Sequence, residues 1–318
     1  MFVQSTVTSI RDEVNNLIQK YSRTDPFTHE EGSNWFRFTG PDTTLQFHGE
    51  GLGDEMIIYQ FGKEFADYIS KNGDPNLGEI VISCGATPGS LHPDDGDVNL
   101  YWWYSFGSYD DQERPEEWFE HYLSEVTTVP DTILCTSSRI QKEASQHGFD
   151  TLYLPLASGS EFRPLNLERK GLGYAGTKGH KREEKEQKFI IPLEKHGEFE
   201  WVDSFHRASQ LNLWYNTRLA TVGVTKEAQR QWGVVNIRVF ETLASGTPFI
   251  LESHPTVESV LGFEFPYQTS SRDETIDLLH RIESDYDEIL TEFEKFSEMV
   301  RKNHTYSERL DSLIEKLQ

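Results

Sequence analysis

Short apolar runs alternate with stretches whose apolar residues recur every three or four positions between Trp35 and Leu156. That alternation is the sign of βαβ units around a parallel sheet. Strands are predicted at residues 44–48, 79–84, 99–106, 132–135 and 151–156, and helices at 54–71, 116–125 and 138–147. Residues 157–167, with Gly159 and Pro164, read as a hinge, after which the alternation resumes. Strands are expected at 173–175, 198–202 and 248–252, with a charged helix from about Lys181. From Arg272 onward Ile276, Leu279, Ile282, Tyr286, Leu290, Phe293 and Phe296 mark one or two long surface helices closing the fold. Near the start, Ile10, Val14, Leu17 and Ile18 predict an amphipathic helix over 7–21, either packed on the first domain or meeting a partner or membrane. The expected architecture is α/β, with two Rossmann-like domains at 1–157 and 158–318.

Composition narrows the function. A chain of 318 residues exceeds the usual size of a single core, which agrees with two domains. Its 53 acidic and 30 basic side chains give a formal charge of -23, which repels phosphate backbones and anionic lipid. Broad nucleic-acid binding is not expected; a salt-rich cytoplasm and ordinary solubility both account for the acidity. Cys84 and Cys135 each lie in an apolar strand-like run without metal-ligand spacing, so buried free thiols are expected. No signal peptide opens the sequence, and no apolar run approaches the roughly 20 residues that span a bilayer. A cytoplasmic protein is the expectation, with peripheral membrane contact compatible.

The segment with most chemistry runs from Gly233 to Leu251. It predicts an amphipathic helix carrying Asn236, Arg238 and Glu241, stopped by Gly246 as a left-handed cap, before Thr247-Pro248 enters a buried strand. A carboxylate and a guanidinium are thereby set beside the mouth of a parallel sheet, where α/β proteins hold nucleotides. This Asn-x-Arg-x-Phe-Glu followed by Ala-x-Gly resembles the donor signature of two-Rossmann-domain (GT-B) glycosyltransferases, in particular the group-1-like and spore-maturation CgeB-like proteins. Residues 131–137, Tyr153-Leu-Pro155 and Phe162-Arg-Pro164 fit the end of a first domain and its linker. Gly173-Tyr-Ala-Gly176 with Arg182 fits the first strand and phosphate loop of the second, and His304-Thr-Tyr306-Ser-Glu-Arg309 a C-terminal helix crossing back.

The resemblance implies a nucleotide-sugar donor and transfer of its sugar to a glycan, lipid-linked or protein acceptor, with no required metal and no cofactor. Glu241 would accept from the ribose hydroxyls, while Gly176, Lys178 and Arg182 would meet the diphosphate, with Lys181 near. Arg238 would orient Glu241, reach the phosphate or form a structural ion pair. One departure is clear. Many retaining relatives carry two glutamates with seven residues between them, and the first falls here on Gly233.

In the first domain His48-Gly-Glu50-Gly-Leu-Gly53 follows a predicted strand and opens a helix, making His48 and Glu50 candidates near the reacting sugar; an exposed glycine turn is the rival. Asp95-Gly-Asp97 is formally an Asp-x-Asp metal motif but reads as a turn. Tyr101-Trp102-Trp103-Tyr104 is either core or a stacking platform for an acceptor sugar. Two other functions stay open: a non-catalytic nucleotide-sugar or glycan binding module of the same fold, and a nucleotide-sugar epimerase.

Overall fold

The computed structural model describes residues 35–48, 52–84, 96–104, 129–176, 183–202 and 207–318. The predicted helices at 7–21 and 116–125 lie outside them.

Two sheets organise the chain. The first runs in the order β1-β2-β3-β4-β5-β6, formed by Trp35–Thr39, Thr43–His48, Gly78–Cys84, Val98–Trp103, Thr132–Cys135 and Thr151–Tyr153. All neighbours are parallel except β1, which pairs antiparallel with β2. The five expected strands are therefore present, and β1 is an addition. Its Phe38 is buried while Arg37 and Thr39 face solvent, the one-sided pattern of an edge strand.

Both faces of this sheet are buried, as a central parallel strand requires. Along β4 the four aromatics alternate. Trp102 and Tyr104 pack with Phe61 of α1 (Leu52–Asn72), whereas Tyr101 and Trp103 pack on the other face with Ile140 and Ala144 of α2 (Ser138–Gln146). All four are at most 3% exposed, so the stacking-platform reading is replaced by core. Cys84 and Cys135 are buried free thiols, and burial pushes the Cys135 thiol up to about 12.

The second sheet has the order β11-β10-β9-β7-β8, all parallel: β7 is Leu172–Ala175, β8 Phe199–Val202, β9 Ala220–Gly223, β10 Phe249–Glu252 and β11 Gln268–Thr269. Its connections include α3 (Glu183–Lys185), a π-helical turn (Glu186–Ile190), α4 (Ile191–His196), α5 (Ala208–Asn216), α6 (Glu227–Gln231), α7 (Ile237–Ala244) and α8 (Val257–Leu261). Three helices follow: α9 (Arg272–Ser284), α10 (Tyr286–Asn303) and α11 (Tyr306–Leu317).

The segment expected to be a hinge is laced down on both sides. Ser158 N–H donates to His304 C=O at 3.0 Å and Tyr306 N–H to Ser158 C=O at 3.1 Å. Gly159 and Ser160 N–H donate to Gln60 Oε1 and Glu64 Oε1 of α1, each at 2.7 Å. Farther along, Arg163 and Leu165 N–H reach Asn212 and Asn216 of α5 at 3.1 and 2.7 Å. As expected, α11 crosses back to the first sheet. Tyr306 packs against Phe61 and Trp102 with ring centroids 5.5 and 6.2 Å away, and Arg309 Nε donates to Pro155 C=O at 2.9 Å.

Candidate functional site

From β7 the chain turns to β8 on one side, then returns to β9 on the other, so the order reverses between β7 and β9. Such a switch point opens a crevice outside the carboxyl ends of the strands. Gly176 follows β7 directly, its N–H bonded to Val202 C=O at 2.7 Å and its C=O accepting from Trp201 Nε1 at 2.6 Å. Thr225 lies just beyond β9, and Glu252 ends β10. Lys178, Lys181 and Arg182 fall outside the described residues.

A charge network closes this edge. Lys185 Nζ lies 2.7 Å from Glu252 Oε1 and 3.2 Å from Glu227, and donates to Thr225 C=O at 2.7 Å. Thr225 N–H donates to Glu252 Oε2 at 2.9 Å, and Arg230 meets Glu227 at 2.8 and 3.1 Å. Arg230 first, and Lys185 with it, hold the Glu227 carboxyl down at about 2. Sequence reasoning missed these residues because Lys185 sits in an alternating charge run that reads as solvated. Its side chain is in fact only 18% exposed. Nearby His254 is driven down to about 4 chiefly by burial. Its Nε2 carries the proton, donating to Val234 C=O at 3.1 Å.

The signature helix α7 begins and ends as its sequence dictates. Asn236 is its N-cap rather than a residue within it, the Oδ1 accepting from Arg238 N–H at 3.0 Å. At the other end Gly246 has φ +63, its N–H bonds to Leu243 C=O, and Thr247 N–H reaches Thr242 C=O, the two bonds of a Schellman cap. Every residue from Val239 to Ala244 is buried, including Glu241 at 2% exposure.

Glu241 does not open broadly to solvent. Gln60 Nε2, from α1 in the other half of the chain, donates to its Oε1 at 2.8 Å, while Gln60 Oε1 accepts from Gly159 N–H. Among the described residues nothing donates to Oε2. Burial raises the Glu241 carboxyl to about 7, against the opposing Gln60 hydrogen bond and Arg238 charge. Asn236, occupied as a cap and also bonded to Gln229 at 3.4 Å, has a supporting place, and Arg238 acts on Glu241 only through its charge, with no ion pair between the two among the described residues.

Gly233 has a reason of its own to be glycine. Its φ is +72, and a Cβ there would lie 3.1 Å from Thr256 Cγ2 and 3.8 Å from Ser137 Cβ. The position where a first glutamate would stand is thus a seam with the first half. Beside it Trp232 is buried against Tyr101 and Trp103, its C=O accepts from Ser137 Oγ at 2.6 Å, and Arg139 lies 4.8 Å over its ring.

Of the first-half candidates, His48 is the last residue of β2, at the carboxyl edge of its sheet. Glu50 and Asp95 lie outside the described residues. Asp97 accepts from Glu79 N–H at 2.9 Å and precedes β4, at the amino edge of the sheet, so it ties a turn there.

The fold is GT-B: α/β, with Rossmann-like parallel sheets and a terminal helix crossing back. It resembles a DNA-modifying β-glucosyltransferase solved with and without uridine diphosphoglucose, at TM-score 0.55 and 12% identity over 81% of this chain and 92% of that one. T4 phage BGT in complex with UDP and Mn2+ gives TM-score 0.50 and 12% identity over 75% and 82%, respectively. The same phage enzyme with its UDP-glucose substrate gives 0.50 and 13% over the same shares. Residues 181–315 match a family model described as glycosyl transferase-like. No curated protein sequence matches the chain significantly. No helix among the described residues is long and apolar enough to cross a membrane.

Proposed function

We propose that this protein is a glycosyltransferase that moves a sugar from a nucleotide-sugar donor to an acceptor hydroxyl, with residues 158–318 as the donor domain and 1–157 as the acceptor domain. The observation that carries the reading is Glu241. It is a buried carboxylate on the helix preceding β10, inside the glycosyl transferase-like segment, with one oxygen held by Gln60 and the other without a donor among the described residues. A ribose diol supplies the hydroxyl donors that Oε2 lacks. Gly176 and the Lys178–Arg182 stretch would take the diphosphate at the switch point, with Arg238 beside Glu241 offsetting charge as the nucleotide leaves. His48 and Glu50 are proposed near the reacting carbon, and the reaction needs no metal in this reading.

The CgeB-like group is the proposed kinship. A glycan, lipid-linked or protein acceptor agrees with a charge of -23, which opposes an approach to DNA, and a cytoplasmic site of action agrees with a nucleotide-sugar supply. Gly233 favours one second reading. Because the glutamate that touches the sugar in many retaining relatives is replaced here by a glycine at φ +72, a non-catalytic nucleotide-sugar or glycan binding module would bind donor without turning it over.

Titration with UDP, GDP, ADP, CMP and dTDP sugars, in chelator and with Mn2+, tests the proposal by thermal shift and by product release. One donor should stabilise the chain in chelator and be consumed when acceptor is present, with both effects lost in Glu241→Ala. Binding without consumption selects the binding module, and unchanged affinity in Glu241→Ala overturns the site.

A further inference from the structure

At the end of the second sheet opposite the crevice, three ligating side chains converge. His196 closes α4 just before β8 begins at Phe199, and so lies at the amino edge of the sheet. His280 and Glu283 stand three residues apart on α9, which leaves the carboxyl edge after β11 and runs back toward the same place. That spacing sets both side chains on one helix face. His196 Nε2 lies 3.0 and 3.2 Å from the two Glu283 carboxylate oxygens, and the two imidazole rings are 5.3 Å apart between centroids. One ligand atom from each of the three falls within 4.8 Å of the others.

We propose that His196, His280 and Glu283 bind a borderline divalent cation of the Zn2+ or Ni2+ class, two imidazole nitrogens and one carboxylate oxygen serving as ligands and water filling the remaining positions. The donor set selects the class: imidazole suits zinc, nickel and copper, whereas magnesium and calcium favour oxygen-only shells. Two of the three ligands come from one helix and one from another, so the cation joins α4 to α9 across the outside of the sheet. All three side chains are exposed, which lets the ion enter without rearrangement. The formal charge of -23 raises the local concentration of any divalent cation. Replacing the His196–Glu283 contact by a shared metal keeps both groups where they already stand.

A consequence concerns transfer assays. A metal that raises the melting temperature of this protein does so from a site remote from the donor crevice, so a metal-induced shift is not by itself a sign of metal-assisted transfer.

Isothermal titration of the chelator-stripped full chain with Zn2+, Ni2+ and Mg2+ tests the site, together with the visible spectrum of added Co2+. Zn2+ and Ni2+ should bind saturably at one equivalent and raise the melting temperature as binding to the native state requires, while Mg2+ at the same concentration does neither. His280→Ala and Glu283→Gln should each weaken Zn2+ by about tenfold or more and remove the Co2+ spectrum, with far-UV circular dichroism unchanged. Absence of saturable Zn2+ binding to the wild type, or equal affinity in both variants, overturns the proposal. Neither readout involves a donor, so failure of the transferase reading leaves this test intact.

Discussion

Glu241 and Glu252 are both largely buried carboxylates of the second half, and they are held in opposite ways. Glu252 faces a cation: Lys185 lies at 2.7 Å and the Thr225 amide takes its other oxygen. Glu241 faces a neutral amide from the other half of the chain, and its second oxygen has no donor among the described residues. A carboxylate closed by an ammonium and an amide is a structural fastening. One left with a spare acceptor and a carboxyl near 7 is poised for a ligand or a proton.

The largest expected effect breaks the fastened side. Lys185→Ala leaves Glu252 without its cation, and at this partial burial should cost about 2–4 kcal/mol in urea unfolding; a cost under about 0.5 kcal/mol would show that solvent carries the pair.

Glu241 should show itself in the pH dependence of stability. Its carboxyl rises from 4.5 to about 7 on folding, so between those values the folded chain holds more protons than the unfolded one. That contribution is fully present below pH 4.5 and is lost as pH rises through about 7. The difference in stability between Glu241→Gln and wild type should therefore grow in favour of the variant from pH 5 to pH 8. A flat difference would mean that the carboxylate is already ionised at pH 5. Donor affinity should move the other way, rising with pH as Glu241 ionises. Gln60→Leu, which removes the amide that favours the ionised form, should shift that rise to higher pH and cost about 1.5–3 kcal/mol. An unshifted profile would separate Gln60 from the site.

A smaller effect concerns the seam. Gly233→Ala should cost about 1 kcal/mol through its φ of +72, and Gly233→Glu, although it restores the two-glutamate spacing, should destabilise further without improving turnover. Smallest is Lys316→Ala: its exposed pair with Asp150 at 2.8 Å should change unfolding by less than about 1 kcal/mol.

Much of this was legible in the sequence because the relevant signals are local. The Schellman glycine at 246, the α7 motif and the strand cores at 79–84 and 132–135 are written within a few residues. Strand β9, Ala-Thr-Val-Gly, escaped because four small residues make a weak apolar run, and β11 has only two residues. The sequence pattern puts Asn236 on the helix, although its side chain is better used as a cap. The partner of Glu241 could not be read at all: Gln60 lies 181 residues away and is chosen by the tertiary fold. Lys185 was hidden by its acidic neighbours, since a charge run says nothing of which member turns inward.

The return of α11 to the first sheet has a consequence for how the chain is made. Tyr306, Leu310 and Leu313 complete the core around Phe61 and Trp102, and the Ser158 bridge to Thr305 pins the linker from the same side. During synthesis the first sheet emerges long before these residues do. Its α1 face therefore stays wet and open to other chains until α11 leaves the ribosome, and the half made first is completed by a helix made much later.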